Sequence, residues 1–128
     1  MTPLPAWMRV TLFATAAMNL LGAFAFLPGA QPLRDLGGFP RADHPLYLCT
    51  VGIFIFALGL GYLGCAIRGS ADRLFIAIGA LGKLAFFALL AGLYASGDLP
   101  LRAPLSGAGD LAFGLLFVIW LAKPDHHA

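Results

Sequence analysis

The chain has 128 residues, of which 60% are hydrophobic and 11% are charged, and its mean hydropathy is +0.87. This length fits one domain, and the composition excludes an ordinary soluble domain. The net charge of +2 comes from scattered lysine and arginine residues that form no basic stripe, so nucleic acid is not an expected partner. The sequence predicts an integral membrane protein in contact with the lipid bilayer.

Four apolar runs of bilayer-spanning length determine the expected fold. A transmembrane helix needs about 20 apolar residues, and lipid leaves the backbone no hydrogen-bond partner outside a helix or a closed barrel. The prediction is therefore an all-α fold: a four-transmembrane-helix bundle with up-down-up-down topology, one domain, no sheet and both termini on the same side. The expected spans cover residues 7–27, 46–67, 74–95 and 104–122.

The first span carries a polar face. Thr11, Thr15 and Asn19 recur at every fourth position, which places two hydroxyls and an amide on one side of the helix. That side is expected to face the other helices, where an amide finds partners and threonine can bond to its own helix. A cleaved signal peptide is the alternative, because residues 23–25 resemble a cleavage site. The length of the apolar run favours a retained helix.

The connection over residues 28–44 is the longest and most polar one. Pro32 before Gly37 and Gly38 predicts one helical turn. This turn would place three apolar side chains on the membrane surface: Leu33, Leu36 and Phe39. A plain surface loop is favoured over a lid. His44 and the tail pair His126 and His127 lack the spacing of metal ligands, so no metal site is predicted.

The second span contains a literal G-x-G-x-x-G over residues 59–64. No strand precedes it, so a dinucleotide-binding loop is excluded. Ala57, Gly61 and Cys65 instead form a ridge of small residues that would let a neighbouring helix come close. Tyr62, on the flank of this ridge, is interpreted as a packing residue at the level of the membrane interface.

Lys83 lies near the middle of the third span. A central lysine costs about 2.5 to 3.5 kcal/mol on the insertion scale, so it is expected either to find a partner or to extend its ammonium toward the interface. The candidate partner is Asp110, which lies inside the fourth helix if that helix starts at Pro104. The alternative makes residues 107–109 an unwound start with Asp110 as the N-cap.

A direct or water-mediated pair between Lys83 and Asp110 is predicted, with Asn19 near the lysine. Counting residues along the helices places Asn19 and Lys83 at similar depth. The usual lean of helical side chains toward their own N-terminus works against this pair.

Basic residues near the span ends give a small excess on the side of the termini. Four lie on that side (Arg9, Arg68, Arg73 and Lys123) and three on the other (Arg34, Arg41 and Arg102). We therefore expect a multi-pass protein of the cell membrane whose termini, by the positive-inside rule, lie in the cytoplasm.

An arginine opens the first helix in the sequence Met8-Arg9-Val10, the second helix is rich in glycine, and a charged turn over residues 68–73 leads into the third. This layout resembles the DoxX-like membrane proteins. The resemblance implies a small protein of the bacterial inner membrane, and some members of that group are associated with quinone-linked oxidoreductases. It supplies no catalytic residue.

The candidate ligand-binding site is one polar face that could hold the head group of a quinone or a lipid. Its residues are Thr11, Thr15, Asn19, Lys83 and Asp110. Two other hypotheses remain open. The chain could be an accessory subunit, docked through its small-residue ridge on a membrane-protein partner or on another copy, or it could move protons or ions. An enzyme is disfavoured because no nucleophile or cofactor site accompanies Lys83 and Asp110, and no cofactor is identified.

Overall fold

The computed structural model describes residues 1–41 and 44–123 of the chain, and these residues are chiefly helical. Two short 3-10 segments, Phe24–Phe26 and Pro28–Ala30, follow the first helix. The six α-helices are α1 (Ala6–Ala23), α2 (Gln31–Leu36), α3 (Pro45–Arg68), α4 (Arg73–Ala95), α5 (Arg102–Ser106) and α6 (Ala108–Ala122). The all-α prediction is confirmed at this level.

Three helical segments are long and apolar enough to cross a membrane: Ala6–Phe26, Pro45–Arg68 and Arg73–Ala95. They have 21, 24 and 23 residues and mean hydropathies of 1.4, 2.1 and 2.3. Only 22% to 28% of the residues in their most apolar windows are buried inside the chain. Large apolar side chains such as Ile53, Phe54 and Leu81 therefore face outward, as lipid-facing residues do. These helices indicate a membrane-associated protein.

The fourth predicted span is divided in two. The expected continuous helix from Pro104 is wrong, because α5 ends at Ser106 and α6 begins at Ala108. Glycines at 107 and 109 weaken a helix by about 1 kcal/mol each, which favours a break here. Asp110 as N-cap is also wrong, since Gly107 holds that position and Asp110 lies in the first turn of α6. With 15 residues, α6 is about 22 Å long, shorter than a bilayer core of about 30 Å.

A short strand pair contradicts the expectation that there is no sheet. β1 (Thr2–Pro3) pairs antiparallel with β2 (Ser70–Ala71), with Thr2 opposite Ala71. Gly69 ends α3 in the left-handed conformation, with φ of 73°, and its carbonyl accepts from the Leu4 amide at 2.9 Å. The glycine turns the chain so that the next two residues lie extended beside the N-terminus.

Two arginines tie helix ends together. Arg9 of α1 donates from Nε to the Ala66 carbonyl at 2.7 Å and from Nη2 to the Ile67 carbonyl at 3.0 Å, both in the last turn of α3. Arg73 of α4 donates to the Leu121 carbonyl at the end of α6. These carbonyls have no partner within their own helix. The starts of α1 and α4 thus lie with the ends of α3 and α6, at what we term the proximal end. The opposite end is the distal end.

The apolar core fills the proximal half of the molecule. Tyr62 lies at its centre, with ring centroids 5.3 Å from Phe75 and 5.5 Å from Phe117. Fully or almost fully buried side chains surround it: Met8, Leu12, Ala16, Cys65, Ala66, Ile76, Ala80 and Trp120. Asn19 of α1 and Lys83 of α4 lie at the distal edge of this core.

At the distal end, the connection after α1 forms the helical turn that its proline and glycines predict, as α2. Leu33 and Leu36 are exposed there, whereas Phe39 turns inward and its ring packs on Phe26 and Phe86 at 6.1 and 6.4 Å. Arg34 is only 4% exposed. The expectation of a plain surface loop is therefore wrong for these two side chains.

Candidate functional site

Lys83 forms the centre of a buried polar cluster. Its side chain is 6% exposed, and its Nζ donates to Asn19 Oδ1 at 3.0 Å and to Asp110 Oδ1 at 2.9 Å. Asp110 is 22% exposed. The predicted pair is thus present as a direct ion pair, with Asn19 in contact with the lysine. Asn19, Lys83 and Asp110 are termed the Lys83 cluster below.

Asn19 holds a fixed orientation in this cluster. Its Nδ2 donates to the Ile55 carbonyl of α3 at 3.1 Å, which leaves Oδ1 facing the lysine. An amide group both donates and accepts, so a single side chain can bridge a backbone carbonyl and an ammonium. The cluster therefore connects α1, α3, α4 and α6 through hydrogen bonds near the middle of the molecule.

The ammonium reaches Asp110 against the usual lean of helical side chains. Gly114 marks the level of the Lys83 backbone on α6, because a Cβ built there would lie 3.4 Å from Lys83 Cβ. Asp110 is four residues earlier, about 6 Å farther toward the distal end. The lysine stem therefore extends toward the C-terminal end of α4, whereas long helical side chains normally point toward the N-terminus. No bridging water is needed to close the distance.

Tyr62 is the packing residue that the sequence predicts, and it also contributes to the site. It is 1% exposed, and its ring centroid lies 5.6 Å from Lys83 Nζ, within the range of a cation-π interaction. Its hydroxyl lies against Gly79, where any side chain would collide with it. The signal in the sequence is its position three residues after Gly59, because residues with that spacing share a helix face.

Two glycines allow the backbones around the cluster to come close. A Cβ at Gly59 would lie 3.0 Å from Asn19 Cβ, and one at Gly114 would lie 2.8 Å from Leu84 Cδ2. The close approach predicted for the second span is real, but it occurs at Gly59 rather than along the ridge. At Gly61 the space is filled by the Phe75 ring of the same chain.

The two threonines of the predicted face are buried but take no part in the cluster. Within the described residues, their hydroxyl bonds stay inside α1: Thr11 donates to the Trp7 carbonyl at 2.8 Å and Thr15 to the Thr11 carbonyl at 2.7 Å. They lie one and two turns from Asn19, toward the proximal end. The structure thus brings together Asn19, Lys83 and Asp110 and leaves Thr11 and Thr15 as packing residues of α1.

The cluster has unused hydrogen-bonding capacity. A lysine ammonium has three donors, and Lys83 uses two of them within the described residues. Asp110 binds the lysine through one carboxylate oxygen, and its partial exposure leaves the carboxylate reachable from outside. Such a site can donate to a carbonyl or phosphate oxygen and accept from a hydroxyl.

Metal ligation is not indicated where the chain is described, since residues 1–41 and 44–123 contain no group of three or more candidate ligands. His126 and His127 lie outside the described residues. No family model, curated protein sequence or solved structure matches the chain. The resemblance to the DoxX-like proteins therefore stays a prediction.

Proposed function

We propose that this chain is a multi-pass protein of the bacterial inner membrane that binds the polar head group of an amphiphile, such as a quinone or a lipid, at the Lys83 cluster. In this proposal α1, α3, α4 and α6 form a four-span up-down-up-down bundle with cytoplasmic termini. Because α6 alone is short, α5 supplies the remaining depth at the distal end. Ala103 and Pro104 of α5 are buried, which supports its being part of the packed structure.

The observation that carries the proposal is the unequal exposure of the ion pair. The ammonium is enclosed while the carboxylate is partly open, so a head group can approach along Asp110 and reach the remaining lysine donor. A charge this deep in the membrane is costly to maintain and typically marks a functional site. Asn19 would position the ammonium, while Lys83 and Asp110 would contact the ligand. Thr11 and Thr15 would support α1.

Docking on a partner subunit receives less support. The ridge that suggested it contacts Phe75 of the same chain at Gly61, and Cys65 is buried in the core. Ala57 is exposed, so only one end of the ridge faces outward. An accessory role in a larger complex, or assembly with a second copy, stays a prediction, because no contact among the described residues tests it.

The test is the amphiphile that copurifies with the protein in a mild detergent. Organic extraction and mass spectrometry should find one class of quinone or lipid at near-stoichiometric amount in the natural protein, and at least about tenfold less in Lys83→Met, as expected for loss of a charge-assisted hydrogen bond. Arg68→Met is the matched control, because Arg68 is an exposed cation at the proximal end. Equal amounts in all three proteins, or none in any, would refute the proposal.

A further inference from the structure

A second polar site lies at the distal end, away from the Lys83 cluster. It is a cavity of about 250 Å³ between α2 and the start of α3. Six residues line this distal cavity: Pro28, Gln31, Arg34, Arg41, Pro45 and Leu48. Two of the six are arginines, although the cavity belongs to a chain in which only 11% of residues are charged. Ligand pockets for drug-sized molecules usually have about 300 to 1,000 Å³, so this volume suits a head group rather than a whole amphiphile.

Arg34 is built into the wall of the cavity. Its Nη1 donates to the carbonyls of Ala25 and Leu27 at 2.9 and 2.6 Å, and its Nη2 donates to Gln31 Oε1 at 3.0 Å. These bonds hold the guanidinium rigid. Nε, in contrast, is buried and has no hydrogen-bond partner among the described residues. A buried donor without a partner is unfavourable, so a ligand oxygen that bonds to this Nε would stabilise the complex.

The positive charge at the cavity comes from two arginines and one helix end. Among the described residues, the partners of Arg34 are neutral carbonyl and amide oxygens, and no ion pair forms with Arg34 or Arg41. Pro45 and Leu48 lie in the first turn of α3, whose N-terminus carries the positive end of the helix dipole. Two guanidinium groups and this helix end therefore favour an anion.

We propose that the distal cavity binds a phosphate group, held between the guanidinium groups of Arg34 and Arg41. Guanidinium is the side-chain group best matched to phosphate oxygens, through its planar set of donors. The cavity lies where α1 has ended and α3 begins, which in a membrane is the level of the lipid head groups. A phospholipid is one source of the phosphate, and free phosphate is the other. This site is independent of the proposed ligand at the Lys83 cluster.

The test uses the full chain in a neutral detergent and two probes. Inorganic phosphate is titrated by isothermal calorimetry, and phosphatidylglycerol is titrated by native mass spectrometry, with diacylglycerol as the lipid that lacks phosphate. Binding of phosphatidylglycerol but not of diacylglycerol, with or without binding of inorganic phosphate, identifies the lipid as the source. Binding of inorganic phosphate alone identifies free phosphate. Binding of neither probe, or equal binding of both lipids, overturns the proposal.

Variants assign the binding to the cavity. Arg41→Gln should weaken it about tenfold, the effect of losing one charge-assisted contact, and it removes an exposed side chain outside the helices. Arg102→Gln is the matched control, since Arg102 is an exposed arginine at the same end that does not line the cavity. Arg34→Lys keeps the charge but loses the planar donors, and should also weaken binding. Equal affinity in Arg41→Gln and Arg102→Gln would overturn the assignment, whatever Arg34→Lys does to folding.

Discussion

Removing either charge of the Lys83–Asp110 pair should destabilise the protein. Removing both charges should cost less than the sum of the two single costs. In Asp110→Asn, the ammonium remains at a position only 6% exposed, with two neutral oxygens as partners. Breaking a buried pair in this way typically costs about 3 to 5 kcal/mol. The lysine is enclosed at both ends of its side chain, with Cβ against Gly114 and Nζ 5.6 Å from the Tyr62 ring centroid.

Lys83→Met should cost less, about 1 to 3 kcal/mol, the range for a polar group that loses its partner. The carboxylate left behind is 22% exposed and lies in the first turn of α6, where the helix dipole favours a negative charge. The double variant has no unpaired charge, so its cost should fall below the sum of the single costs by about 1 to 3 kcal/mol. The unequal single effects and this coupling are both consequences of the observed geometry.

The assay is equilibrium unfolding in mixed micelles, followed by circular dichroism, for the natural protein, both single variants and the double variant. Arg68→Met and Asp98→Asn form a control cycle, because both residues are exposed and lie at opposite ends of the molecule. The control costs should add within about 0.5 kcal/mol. If the Lys83 and Asp110 costs also add within that limit, the two charges are independent and the reasoning is refuted.

Three further outcomes are expected. Gly61→Leu should destabilise the protein by about 1 to 3 kcal/mol in the same assay, because its side chain would displace the Phe75 ring. Gly64→Leu should not, because the nearest atom to a Cβ there is Arg68 Nη2 at 4.0 Å, the end of a flexible side chain. Gly59→Ala should cost a similar amount, about 1 to 3 kcal/mol, by separating α1 from α3. In a background without native cysteines, a membrane-impermeant maleimide added to intact cells should label Ser96→Cys and leave Arg68→Cys unlabelled. The reverse pattern would place the termini outside.

The Lys83 cluster could be predicted because helix rise is constant. At 1.5 Å per residue, the depth of a side chain follows from its distance to the helix end, so Asn19 and Lys83 could be placed at one level before their contacts were known. Periodicity likewise placed Asn19, Thr11 and Thr15 on one buried face. Both arguments depend on local geometry alone, which a sequence determines well.

Tyr62 and Arg34 could not be predicted in this way. A tyrosine in an apolar helix is equally compatible with an interface and with a core, and the space it occupies is created by Gly79 of another helix. An arginine in a polar connection is normally exposed, yet Arg34 is buried because the chain after α1 presents the carbonyls of Ala25 and Leu27 to it. These environments arise from contacts between distant segments. Such contacts leave no pattern in the sequence of either segment alone.

The beginning of α6 and the strand pair were mispredicted for a related reason. The length needed to cross a membrane favoured a continuous helix from Pro104. The local sequence decides where a helix breaks, and here Gly107 ends α5. The strand pair depends on Gly69, which turns the chain toward the N-terminus. Thr2 then pairs with Ala71, although the two are far apart in the sequence. Neither pairing partner has a strand signal of its own.

Access to the Lys83 cluster is one-sided, and this bears on the choice between binding and ion movement. On the proximal side, the buried side chains of Tyr62, Phe117 and Trp120 fill the space between the helices. On the distal side, Asp110 is partly exposed in the first turn of a short helix. A transporter must open its site to each side in turn, commonly through broken helices at mid-membrane, and the core on the proximal side would have to separate for this. A head group that enters at Asp110 and leaves the same way requires no such opening, so the packing favours the binding proposal over ion movement.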